Sequence, residues 1–189
     1  MPLTPPGIAA TLAPALSAAG VLGTSVPQYA LGIGVGVCQW AQQVVVLSID
    51  TGTLGVGAST GPLLVPTPSL LQNLLASFAA MGLAGTMAAP LATGIANGLT
   101  LAFAQALVLV SHPSVGVGAS VNTFQAGTAA PFMLAGFASV GFHGTYMSNI
   151  ATAIGLALDT TFRALVLPLL IVGSVSPMAS TGAGIGKIV

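Results

Sequence analysis

Gly20–Val21–Leu22–Gly23–Thr24, Gly82–Leu83–Ala84–Gly85–Thr86 and Gly141–Phe142–His143–Gly144–Thr145 are three copies of one pattern, G-x-x-G-T, spaced by 62 and 59 residues. The register runs on without a gap. Four residues before the first glycine stand Leu16, Phe78 and Phe137. Seven after the second glycine stand Ala30, Ala92 and Ala151, and ten after it Ile33, Ile95 and Ile154. Gly55–Val56–Gly57–Ala58–Ser59 recurs as Gly116–Val117–Gly118–Ala119–Ser120, with a looser copy in Gly182–Ala183–Gly184–Ile185–Gly186. Self-similarity at a fixed period is the signature of a repeat architecture. The chain therefore divides into units of about residues 7–65, 69–131 and 132–189.

Each unit reads alike. A short helix comes first. In the second unit Ser69 is a candidate N-cap, Leu70, Leu71, Leu74, Leu75 and Phe78 recur at helical spacing, and Gly82 ends the helix. The G-x-x-G turn follows, its glycines suited to positive φ, so that Gly20, Gly23, Gly82, Gly85, Gly141 and Gly144 are the structural turn residues. Thr24 or Ser25, Thr86, and Thr145 or Ser148 are N-cap candidates for a second helix over roughly 26–43, 88–106 and 147–164. Pro27 and Pro90 fall in its first turn, where a missing N–H costs little. A β-rich run closes each unit at Val44–Ile49, Leu107–Ser111 and Leu165–Val172. Asp50–Thr53 and His112–Ser114 then read as turns. The expected fold is α+β: three tandem helix–turn–helix–strand repeats packed into a single domain over residues 1–189.

Composition narrows the function. Two Lys+Arg and two Asp+Glu make 2% of 189 residues charged, against about 25% in a typical globular domain. The four are Asp50, Asp159, Arg163 and Lys187, and there is no Glu. A phosphate-tracking surface needs several basic residues, so direct nucleic-acid binding is excluded. Acid–base catalysis needs titratable groups held together, and two Asp, two His and one Lys lie far apart in sequence. The one cysteine, Cys38, allows no internal disulfide and no multi-cysteine metal site. The first basic residue is Arg163, so no secretory signal is read at the start. No catalytic, cofactor-binding or metal-ligating residue is assigned, and the chain is read as not an enzyme.

Several residues invite a sharper reading. Asp159 and Arg163 stand at the i, i+4 spacing of a helical ion pair. His143 takes a variable turn position, and His112 precedes Pro113; neither has a metal-ligand partner nearby. Cys38 aligns with Thr100 and Asp159, so that position needs no thiol. Trp40, Phe103 and Phe162 are expected to fill repeat cores or interfaces. The Gly-Val-Gly segments lack the Lys–Ser/Thr of a phosphate loop and are read as tight turns or close backbone packing.

With four charges and 32 Ala and 25 Gly, the chain is poorly suited to a freely soluble monomer. A thin, small-residue core leaves neighbouring repeats, and then neighbouring subunits, to complete it. Well over 2,000 Å² of each subunit is expected to be buried against its neighbours, the size of an obligate interface, with copies related by rotational symmetry. A small multi-helix membrane protein, such as a pore or channel component, is the alternative. It is disfavoured by first helices too short to span, by spans interrupted at Gly32, Gly34, Gly36, Gln39, Gln42 and Gln43, and by the lack of Lys or Arg before position 163 to set topology.

The charge-poor composition, the G-x-x-G-T repeats and their trailing segments, Thr53–Leu54–Gly55–Val56–Gly57 and Pro113–Ser114–Val115–Gly116–Val117–Gly118, with Gly184–Ile185–Gly186–Lys187–Ile188–Val189 at the end, resemble the small, Ala/Gly-rich virion structural proteins of large contractile-tailed bacteriophages. The likeness covers the whole chain and lies in composition and repeat layout. It implies a component of tail, baseplate or capsid, localised to the virion, whose partners are copies of itself and other virion proteins. It transfers no functional residue.

Overall fold

The computed structural model describes residues 3–53, 56–64, 67–83, 85–105, 107–112, 116–122, 129–163, 166–173 and 180–187, with side-chain packing for 3–44, 69–83, 85–104 and 129–163. Three helix pairs follow the three repeats: α1 (Pro5–Ala18) and α2 (Val26–Ala41), α3 (Thr67–Ala80) and α4 (Ala88–Gln105), α5 (Ala129–Ser139) and α6 (Thr145–Arg163). Each helix packs on the next, and α1 packs on α6, so the six close into a ring. Three equivalent pairs in a closed ring are related by an approximate threefold axis.

Residue periodicity builds the ring. On the first helix of each pair, Ile8–Leu12–Leu16, Leu70–Leu74–Phe78 and Ala129–Met133–Phe137 form i, i+4, i+8 rows, all buried. On the second, Ala30–Ile33–Val37, Ala92–Ile95–Leu99 and Ala151–Ile154–Leu158 are equally buried. Small residues set the spacing between repeats. A Cβ on Gly36 would lie 2.9 Å from Leu74 Cα, and one on Gly98 would lie 2.7 Å from Met133 Cα. At the third seam Ala157 holds the equivalent position, and the hydroxyls of Thr11 on α1 and Thr161 on α6 are 3.1 Å apart.

The G-x-x-G-T motif is a Schellman stop joined to a helix start. Val21, Leu83 and Phe142 donate their N–H to the carbonyls of Leu16, Phe78 and Phe137 at 3.0, 2.9 and 3.0 Å, and the glycine before each donates three residues back. These are the two bonds of that motif, accompanied by its hydrophobic contact; Phe137 and Phe142 meet edge to face at 5.6 Å. The second glycine then offers its carbonyl to the next helix, as from Ala88 N–H to Gly85 at 3.1 Å. All six turn glycines have positive φ, and no other described residue does. At Gly82, φ is 72° and a Cβ would meet nothing within 4 Å, so conformation alone decides the cost. We expect Gly82→Val to destabilise by about 1–3 kcal/mol, read as a fall in Tm of about 3–10 °C. Gly82→Asn should lose clearly less, because Asn tolerates left-handed backbone. Equal losses would remove the conformational explanation.

The expected α+β domain is overturned. Where side-chain packing is described, the body is all-helical, with six helices and no strand within it. The reason lies in the extended runs, which were expected to close each helical unit as single strands. Each instead continues into a second extended run and pairs with it outside the helical core. The pairs are β1 (Val45–Thr53) with β2 (Val56–Leu64), β3 (Leu107–His112) with β4 (Gly116–Asn122), and β5 (Val166–Gly173) with β6 (Ser180–Lys187). Asp50–Thr53, expected as a turn, continues β1, where Asp50 faces Ser59 on β2 and Gly182 on β6. His112 ends β3, and Pro113–Ser114 lie outside the described residues. The Gly-Val-Gly segments, expected as tight turns or close backbone packing, enter β2 and β4 from Val56 and Gly116; Gly55 lies outside the described residues. All six strands pair antiparallel and close as a barrel in chain order, β6 returning to β1. Closure removes the free edges that invite strand addition.

Smaller corrections follow. Ser69 lies inside α3, two residues after its start, and not at its N-cap. Thr145 begins α6, and Ser25 stands at the N-cap of α2 without a side-chain capping bond. Ring closure also supplies each repeat's neighbour within one chain, so the helical core is completed without a second subunit. The accessible surface is 8599 Å², close to the roughly 8,100 Å² of an average folded monomer of this mass.

Candidate functional site

The second helices α2, α4 and α6 line the axis. Along each, inner residues recur every four: Tyr29 and Ile33, Leu91 and Ile95, Ile150 and Ile154. At the C-terminal end Trp40, Phe103 and Phe162, all fully buried, close the axis. Phe103 lies edge to face with both others, ring centroids 4.7 Å apart in each case. The hairpins leave from this end, and β2 and β4 touch α4 and α6.

The opposite end, where the glycine turns lie, is not filled. A cavity of about 280 Å³ remains there, lined from all three repeats, with Tyr29 and Ile33 of α2, Leu91 of α4, and Ile150 and Ile154 of α6 forming its axial wall. Leu16, Val21 and Phe142 of the turns complete the side wall, and Met87, Tyr146 and Met147 also face it. Met87 and Tyr146 are 55% and 52% exposed and mark the mouth; Leu22, beside Val21, is 86% exposed. These are the three most exposed large hydrophobic residues among those described.

The residues singled out from sequence fall in different places. The six turn glycines gather at the mouth end, where Gly20 would place a Cβ 3.6 Å from the Tyr146 ring. Asp159 and Arg163 lie near the C-terminal end of α6, with Arg163 Nε 3.5 Å from Asp159 Oδ2; the aspartate side chain is buried and the arginine is 39% exposed. Asp50 and Lys187 lie on strands β1 and β6. His143 lines a separate pocket beside Phe142 and Met147. No group of three or more His, Cys, Asp or Glu stands ready to hold a metal among the described residues.

Cys38 is buried on α2, and its thiol donates to the Leu3 carbonyl at 3.3 Å. Burial pushes its pKa above the ordinary thiol range, so at neutral pH it is the protonated, unreactive form. We expect iodoacetamide at pH 8 to label Cys38 only after unfolding, with labelling followed by mass spectrometry; rapid labelling of the native chain would contradict this burial. The sign follows from linkage: the raised folded pKa gives a contribution that is complete below the unfolded thiol pKa and is lost as pH rises through the folded value.

The cavity lining was missed in sequence, although Tyr29, Leu91 and Ile150 stand four residues before the aligned isoleucines and could have been found by extending that period. No helix among the described residues is long and apolar enough to cross a membrane. Comparison with family models, curated proteins and solved structures gives no match.

Proposed function

We propose that this chain is a non-enzymatic structural subunit of a large symmetric assembly, a component of the tail, baseplate or capsid of a tailed-phage virion. The observation that carries this reading is the closed threefold ring of helices on a closed six-strand barrel, made by one chain with four charges. Such a chain presents equivalent faces three times about its own axis, which suits a seat on a symmetry axis. Its near-absence of charge suits surfaces covered by neighbouring protein.

The experiment is to follow the protein through particle purification in detergent-free buffer. We expect it to travel with intact particles in fixed stoichiometry, and a particle map to place it on or around a symmetry axis. Recovery only from host membranes, and only with detergent, would overturn the proposal.

A further inference from the structure

We propose that the axial cavity at the turn end is a binding site for an uncharged, mainly hydrocarbon ligand of about ten to twelve carbon atoms, such as a medium-chain alkyl group. The argument begins with how the axis is packed. From Ile33, Ile95 and Ile154 down to Trp40, Phe103 and Phe162, the inner residues are at most 1% exposed, and the interior is closed. Only the last turn before the mouth is left open, at about 280 Å³. Its wall there is firm: Tyr29 is braced edge to face against Phe78 at 6.3 Å, and Leu16 and Phe142 belong to the hydrogen-bonded Schellman stops.

Size and charge select the ligand. An apolar cavity of about 150 Å³ stays dry and admits benzene, so one nearly twice as large takes a hydrocarbon of roughly twice that bulk. Its volume is too small to seat a helix, whose diameter with side chains is about 10–12 Å. All lining residues come from stretches without Asp, Glu, Lys or Arg, since residues 1–49 and 51–158 contain none. An ionic headgroup at the mouth would therefore find no charge-paired partner among those residue types. The half-exposed phenol of Tyr146 at the mouth offers a neutral hydrogen-bonding group instead. A hydrocarbon seated there takes the apolar walls out of water and makes dispersion contacts with them.

The test uses the full chain with 1-decanol and decanoate as probes, at pH 8, by titration calorimetry and thermal shift. We expect 1-decanol to bind saturably at one site and raise Tm, and decanoate to bind at least about tenfold more weakly. Ile150→Trp fills the cavity from α6 and should weaken 1-decanol about tenfold or more while keeping the native circular dichroism. Leu91→Phe, a smaller filling from α4, should weaken it to a lesser degree and guards against misfolding of the first variant. Absence of saturable binding to the wild-type chain would overturn the site. Undiminished binding to both folded variants would overturn its location, and equal affinity for decanoate would overturn the ligand class.

Discussion

Phe103→Ala is expected to destabilise the protein by about 3–5 kcal/mol, the range for removing a fully buried aromatic side chain. Phe103 is 0% exposed and is the ring that touches both Trp40 and Phe162. Its loss leaves a void on the axis that three helices share, so no single helix can move inward to fill it without opening its two seams. Both edge-to-face contacts disappear as well, each contributing about 0.5–1.5 kcal/mol beyond area burial. Phe103→Leu keeps most of the volume and should cost about 1–2 kcal/mol, chiefly those ring contacts. Thermal or urea unfolding measures both. Trp40 is the only tryptophan, so its emission reports the same site and should shift to the red in Phe103→Ala alone. A loss below about 1 kcal/mol for Phe103→Ala would mean that the aromatic floor does not hold the ring together.

How much of this was legible in the sequence depends on the range of the interaction. The turns were legible because their chemistry is local: a helix stop, two glycines and a helix start lie within five residues, and Leu16, Phe78 and Phe137 mark the Schellman acceptors directly. The second helices and α3 were legible for the same reason, within a few residues at each end. The strand pairing was not. Asp50–Thr53 and Val56–Gly57 have turn composition, yet they pair with each other across β1 and β2, Gly52 with Gly57 and Thr53 with Val56, and Asp50 also stands opposite Gly182 across 132 residues. Ring closure was equally hidden, because the meeting of α1 with α6 joins the two ends of the sequence. Trp40, Phe103 and Phe162 were expected in repeat cores or interfaces. That all three share one axis could not be read from the repeats, where Trp40 is one position out of register with Phe103 and Phe162.

Closure makes a final, opposed pair of outcomes. A chain cut after the second repeat, ending near residue 128, should fail to fold as a monomer. Removing α5, α6, β5 and β6 exposes the seam faces of α1 and α4 and leaves β1 and β4 as free barrel edges, which pair with other chains. The Phe103–Phe162 contact of the aromatic floor goes too, since Phe162 is lost. We expect no cooperative melt and a sedimentation profile of aggregates or re-closed oligomers. A circular permutant should behave in the opposite way. Leu3 and Lys187, the first and last described residues, both lie at the hairpin end of the ring, where Leu3 meets Cys38 and Lys187 pairs with Val45. Joining them through a short flexible linker and opening the chain between Leu64 and Thr67 gives the order helix pair, hairpin, helix pair, hairpin, helix pair, hairpin, as before. Every seam, strand pair and axial contact is kept, so Tm should fall by no more than about 5 °C, the effect of roughly 1–2 kcal/mol at this size. Chain ends that lie close together are what make such permutation tolerable. A folded two-repeat monomer with a cooperative melt would show that the ring need not close. A permutant that fails to fold would show that the order of the repeats matters beyond their contacts, and would count against their threefold equivalence.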